Sequence, residues 1–134
     1  MDKVTRVLAG CQYLLLTTFR RDGTPIPTPL RVVGDGGSLA VWPVRDSEVI
    51  ECLVTNAGVE LAPCDVRGVP RGKPVAGRAR VLDADEIERV RDLMVRKYGL
   101  LGRALLTTSL IRQGDGTPEA LSITVGPLAN FSRN

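Results

Sequence analysis

The chain has no histidine and only three cysteines, Cys11, Cys52 and Cys64. The first absence removes Ser-His-Asp and Cys-His nucleophiles, His-ligated metals and imidazole acid–base pairs together. The cysteines are odd in number, far apart and include no C-x-x-C. That argues against a disulfide framework, for a reducing compartment, and against a zinc site. No apolar run approaches the roughly 20 residues of a membrane-spanning helix. The first stretch, MDKVTRVLAGCQYLLLTTF, lacks the basic start and long apolar centre of a signal peptide. The expected location is cytoplasmic, without membrane association. Concentrated charge is missing too. The net charge is +3, spread over Arg20-Arg21, Arg67 to Lys73, Arg78, Arg80 and Arg89 to Lys97. Nucleic-acid surfaces show a denser stripe, so no nucleic-acid partner is expected.

The 134 residues present, 43% apolar and 25% charged, suit one globular domain over 1–134. Such a chain folds without metal or disulfide support. Residues 1–12 read as an N-terminal helix: Asp2 is a cap, and Val4, Val7, Leu8 and Cys11 make an apolar stripe. YLLLTTFR, Tyr13 to Arg20, reads as a strand, and Asp22-Gly23 as a hairpin turn. The returning strand, Pro25 to Val33, carries Pro25, Pro27 and Pro29. Proline cannot donate to a ladder, which puts this half at an edge or an opening of the sheet. GDGG, Gly34 to Gly37, turns into a strand at Ser38 to Val44.

Asp46 or Ser47 then caps a short helix, with Ile50, Leu53, Val54 and Ala57 as its expected buried stripe. Further strands are expected at Val59 to Asp65, Val75 to Asp83 and Ala120 to Val125. Between the last two lies the clearest helix. Asp83 and Glu86 suit a capping box, Ile87, Val90, Met94, Tyr98 and Leu101 form its stripe, and Gly99 stops it. The segment LLGRALLTTSLIR follows as a possible helical continuation, and 126–134 reads as a loose C-terminal tail. Tight hairpins imply antiparallel pairing. The fold class is α+β, mainly β, a small closed or split barrel of six antiparallel strands with peripheral helices.

In this order, LLLTTFRRDGTPIPTPL, AVWPVRDS, VELAPCDVRG, GRARVLDADE and RKYGLLGR resemble the pyridoxamine 5'-phosphate oxidase-like split β-barrel proteins. Within them the chain most resembles the B-type F420-dependent (deazaflavin) oxidoreductases. The resemblance spans Tyr13 to Val125. It implies an FMN-binding split barrel that forms a homodimer, with cofactor grooves at the dimer interface. It implies F420, or alternatively FMN, and hydride transfer between that cofactor and a small organic substrate, with orientation and electrostatics supplied by the protein. It places Thr28, Pro29, Leu30 and Arg31 beside the cofactor's ring system. Trp42, Pro43, Val44, Arg45 and Ser47 fall on the strand and loop near its linker and phosphate. No catalytic side chain and no metal is implied. Ser47 matches the serine of a family pattern S-x-K-x-[KR], but the basic positions fall on Val49 and on Glu51 or Cys52.

That departure matters, because a helix start attracts phosphate, and acidic residues there oppose it. Glu48 and Glu51 read either as solvated helix-start residues or as an altered phosphate grip. Arg31, Arg45, Arg67, Arg71 and Lys73 are candidate compensating cations. The alternative function is a non-catalytic split-barrel binding protein for a small, weakly charged ligand. Trp42 is open between packing and stacking on a flat ring. Cys64 reads as a buried small residue, Asp65 and Arg67 as a local ion pair, and Lys97-Tyr98-Gly99 as a helix end packed on the barrel. The loop Arg67 to Pro74 is a solvated hairpin loop or a contact for a cofactor's tail.

Overall fold

A computed structural model of the chain describes residues 3–112 and 118–126, without the side chains of 100–112. The expected Asp2 cap, the Leu101 contact and the tail beyond 126 lie outside the described residues. The elements are α1 (Lys3–Ala9), β1 (Tyr13–Phe19), β2 (Pro25–Asp35), β3 (Ser38–Val44) and α2 (Ser47–Thr55). They continue as β4 (Gly58–Cys64), β5 (Val75–Val81), α3 (Ala84–Arg112) and β6 (Glu119–Val125). All six strands pair antiparallel in a closed barrel ordered β1-β2-β3-β6-β5-β4, with β4 returning to β1.

The turns set the register. Gly23 sits at φ +91°, where a side chain would be strained, and Arg20 and Thr24 bond across it. This pairs Phe19 with Pro25 and, counted back, Tyr13 with Arg31. The strand β2 runs two residues further than expected, and the turn shrinks to Gly36 and Gly37 between paired Asp35 and Ser38.

Alternate residues of β1, β4 and β6 point inward. Leu14, Leu16, Val59, Leu61, Leu121 and Ile123 fill the interior, closed by Leu8 of α1 and by Val49 and Leu53 of α2. A second cluster lies between the barrel's outer face and α3: Val33, Ala40, Trp42, Leu82, Val90, Met94 and Ala120.

Two helix stripes depart from expectation. In α1, Thr5 and Leu8 are buried, while Val4 and Val7 are exposed. In α2 the buried set is Val49, Cys52 and Leu53, and Val54 is 82% exposed. The spacing is helical in both readings but the phase is off by one residue. The cap decides the phase: Asp46 accepts from the Glu48 N–H at 2.9 Å and so fixes which side of the first turn meets the barrel.

The helix α3 begins as read. Asp83 accepts from the Glu86 N–H, and Glu86 reaches back to the Asp83 N–H and takes two bonds from Arg80. Gly99 interrupts the helix at φ +63°, and helical residues resume beyond it. The Arg80 guanidinium, then the Asp83 N–H, hold the Glu86 carboxyl at about 2, below its ordinary 4.5. A depressed carboxyl stabilises the fold above its unfolded pKa and loses that contribution as pH falls towards 2. Thermal midpoints measured from pH 6 downwards should therefore fall less steeply in Glu86→Gln than in the parent. The difference is expected to be small, because the pair is exposed.

Candidate functional site at the opening between β2 and β3

The ladder between β2 and β3 is incomplete. The strand β2 bonds β1 along Pro25 to Arg31, but its ladder to β3 covers only Val32 to Asp35. Beyond Val41, β3 follows β6 instead, with an irregularity before Val44 pairs with Glu119. Two lips diverge from there, one made of Pro25 to Arg31 and the other of Trp42 to Arg45.

Hydrogen-bond phase determines what the first lip offers. The pair Asp35 and Ser38 closes a two-residue turn, so odd residues of β2 turn their backbone groups towards β3. Even residues turn theirs towards β1. Thr24 does so by accepting from Arg20, and Val32 by meeting Tyr98 on the β1 side. Pro25, Pro27 and Pro29 are all odd. Their nitrogens, which have no hydrogen to donate, face the opening, and the β1 ladder loses nothing. The opening is therefore edged by three carbonyls and no N–H until Arg31. Ile26, Thr28 and Leu30 are half-buried behind this edge, and Leu30 packs on the core. The loop after β4 lies across the outer side, where Gly68 approaches Pro29 and Leu15.

Both groups of expected site residues thus flank one opening, but their side chains divide. Thr28, Pro29 and Leu30 form the first lip. Arg31 does not reach out as a free cation. Its guanidinium lies 4.9 Å from the ring centres of both Tyr13 and Tyr98 and donates to the Tyr13 hydroxyl at 2.9 Å. On the second lip, the Trp42 ring is 2% exposed and packs under α3. Of the two readings of Trp42, this burial agrees with packing. Val44 is also buried in the core. Pro43 is half-buried, and Arg45 and Ser47 are exposed at the start of α2.

The acidic helix start has a local explanation. Arg20, at the end of β1, holds Glu48 with its Nε at 2.7 Å. Val49, where the family pattern would place one cation, is a core position at 0% exposure, and packing excludes a charge there. Of the two candidates for the other cation, Cys52 is buried at 4% and Glu51 is exposed. The other candidate cations are partly committed. Asp65 accepts from the N–H groups of Val69 and Arg67, which with both arginines hold its carboxyl below the usual range. Arg67 and Arg71 stand 3.8 and 3.9 Å from it, which bears out the local ion pair and adds a second partner. No described residue is recorded as a partner of Arg45 or Lys73. Cys64 is buried as read, and burial pushes its thiol up, away from the reactive thiolate.

The sequence reading missed how the opening is braced. The Tyr98 hydroxyl bonds Val32 N, Val32 O and Gln12 O, where the β1–β2 ladder would have continued. Lys97 donates to Ala9 O, Cys11 O and Val32 O. The helix end does pack on the barrel, but through polar bonds to backbone rather than by apolar contact alone. The Tyr13–Arg31 contact was countable from the Asp22-Gly23 turn. The α3 contacts carried no local signal.

Neither a family model nor a curated protein matches the chain. Solved structures do. The haem storage protein HutZ from Vibrio cholerae superposes with a TM-score of 0.66 at 14% identity, covering 93% of this chain and 89% of that one. A Listeria innocua protein described as a candidate pyridoxamine 5'-phosphate oxidase gives 0.55 at 18% identity, covering 94% and 91%. An F420 reductase gives 0.50 at 15% identity, covering 95% and 97%. At such identities the likeness is one of fold. This chain has the split barrel of the pyridoxamine 5'-phosphate oxidase type, and the F420 branch is one of several that share it.

Proposed function

We propose that the protein binds a flat heterocyclic redox cofactor, F420 or alternatively FMN, in the opening between β2 and β3. It then transfers a hydride between that cofactor and a small organic substrate. The observation that carries this reading is the polar pattern of the β2 lip. The ring edge of both cofactors bears an N–H between two carbonyls. The Pro27 and Pro29 carbonyls can accept from the N–H, and the Arg31 backbone N–H, in the same phase, can donate to a ring carbonyl. Half-buried Thr28 and Leu30 offer an apolar floor for the ring. When bound, the cofactor supplies the hydride chemistry, and the chain orients the ring and shields it from water.

The anionic tail is the weaker fit. Glu48 is neutralised by Arg20, which leaves Arg45 as the cation beside the helix start. Arg45 and Ser47 would hold a phosphate there, with Pro43 beside the linker. Trp42 and Val44 would contribute backbone only. A cytoplasmic homodimer that completes each groove with its second copy agrees with this reading.

Titration of the purified protein with F420 and with FMN tests it. Saturable fluorescence quenching by at least one at tens of micromolar is expected, and none by either would refute it. Loss of one charge-assisted contact corresponds to about a tenfold weaker affinity, so Arg45→Ala should weaken binding by about that much. An unchanged affinity would remove Arg45 from the tail site.

A second reading is favoured by the acidic residues Glu48 and Glu51 and by the fold shared with a haem storage protein. On that reading the opening holds a weakly charged ligand without catalysis. Native mass spectrometry showing a co-purified non-redox ligand would support it.

A further inference from the structure

The ladder between β1 and β2 ends at the pair Tyr13 and Arg31. The next rung in that register would join Gln12 to Val32. A side chain from α3 stands in its place. The Tyr98 hydroxyl accepts from the Val32 N–H at 3.2 Å, and lies 2.8 Å from the Gln12 carbonyl oxygen and 2.7 Å from that of Val32. A phenol has a single proton to give. Lys97 donates to the Val32 carbonyl at 2.7 Å, which leaves the phenol proton for Gln12. Burial pushes the Tyr98 pKa above its ordinary 10, so that proton stays on at neutral pH. The hydroxyl thus relays the missing rung, from the Val32 N–H to the Gln12 carbonyl.

The same residue holds Arg31 from two sides. The Arg31 backbone runs directly into Val32, which the hydroxyl fixes. The Arg31 guanidinium lies 4.9 Å from the centres of the Tyr98 and Tyr13 rings and donates to the Tyr13 hydroxyl. Arg31 also carries the first N–H that the β2 lip turns towards the opening, because Pro25, Pro27 and Pro29 have none. That donor therefore sits one residue from the Tyr98 bond, where the direct β1 ladder has already stopped.

We propose, building on the cofactor reading of the opening, that Tyr98 is a positioning residue for the bound ring: its hydroxyl sets the direction of the Arg31 N–H, and so its bond to a ring carbonyl. The hydroxyl lies on the β1 side of β2, so it acts through the strand and not by touching the cofactor. A hydrogen bond weakens steeply once its angle falls below about 120°. A modest rotation of the strand at Val32 is enough to lose it.

The test is a titration of ¹⁵N-labelled protein with FMN and with F420, read at the backbone amides. In the parent, whichever cofactor binds should move the Arg31 amide proton downfield, the mark of a new hydrogen bond. Tyr98→Phe keeps the ring against Arg31 and removes only the hydroxyl. It should bind about tenfold more weakly, with the Arg31 amide left near its free position at saturation. Tyr13→Phe removes the other hydroxyl beside Arg31 but spares the Val32 bond, and should keep the Arg31 response. A parent that binds without the Arg31 shift would overturn the proposal, and this arm needs no variant to fold. So would an undiminished shift in Tyr98→Phe, or an equal loss in Tyr13→Phe. If neither cofactor moves any amide of the parent, the cofactor reading itself falls, and the positioning role falls with it.

Discussion

Lys97→Met is expected to destabilise the fold by about 3 kcal/mol, a fall of about 10 °C in thermal midpoint for a chain of this size. The substitution keeps most of the apolar stem and removes the ammonium. Ala9 and Cys11 lose the donor that caps the end of α1, and Val32 loses one of its partners. Helix-end carbonyls have no partner within the helix, so the loss leaves half-buried acceptors unsatisfied. Burial alone pulls the Lys97 pKa below its ordinary 10.5, a penalty that the three carbonyls offset. Lys73→Met, in the exposed loop after β4, is the control and should change stability by no more than about 0.5 kcal/mol. Differential scanning calorimetry compares the two. Equal midpoints would show that Lys97 is an ornament of the surface and not a brace.

Gly77→Ala is the second substitution with a large expected effect, about 2–3 kcal/mol of destabilisation. A β-carbon at 77 would lie 2.8 Å from the Thr124 carbonyl oxygen and 3.2 Å from Leu61 Cδ1. The first obstacle is backbone of the neighbouring strand and cannot swing aside. Gly77 pairs with Val59 on one side and Val125 on the other, so any shift disturbs both ladders. Gly37→Ala has open space around it and should be close to neutral. Urea unfolding separates them: Gly77→Ala should move the midpoint with little change in slope.

The fold was largely legible because its determinants are local. Asp22-Gly23 names a hairpin, Asp83 and Glu86 name a helix start, and three alternate prolines name an opening. All three features are in the structure. The site was legible as segments but not as side chains. Thr28 to Leu30 and Arg45 lie on the two lips of the opening, whereas Trp42 and the Arg31 guanidinium meet α3, which begins more than 40 residues later in the chain. Nothing near Trp42 announces that contact; it arises when Val90 and Met94 settle on Ala40 and Ala120. The phase of α2 was misjudged for a related reason. Apolar residues at 49, 50, 52, 53 and 54 permit more than one buried face, and the cap at Asp46 chooses between them.

The alternate prolines of β2 also bear on self-association. An exposed strand margin normally invites another chain to extend the sheet, the first step towards fibrils. Here a recruited strand would find three successive places with no amide hydrogen to share. The chain can leave part of the β2 margin unpaired with β3 and still refuse to act as a template for its own polymerisation.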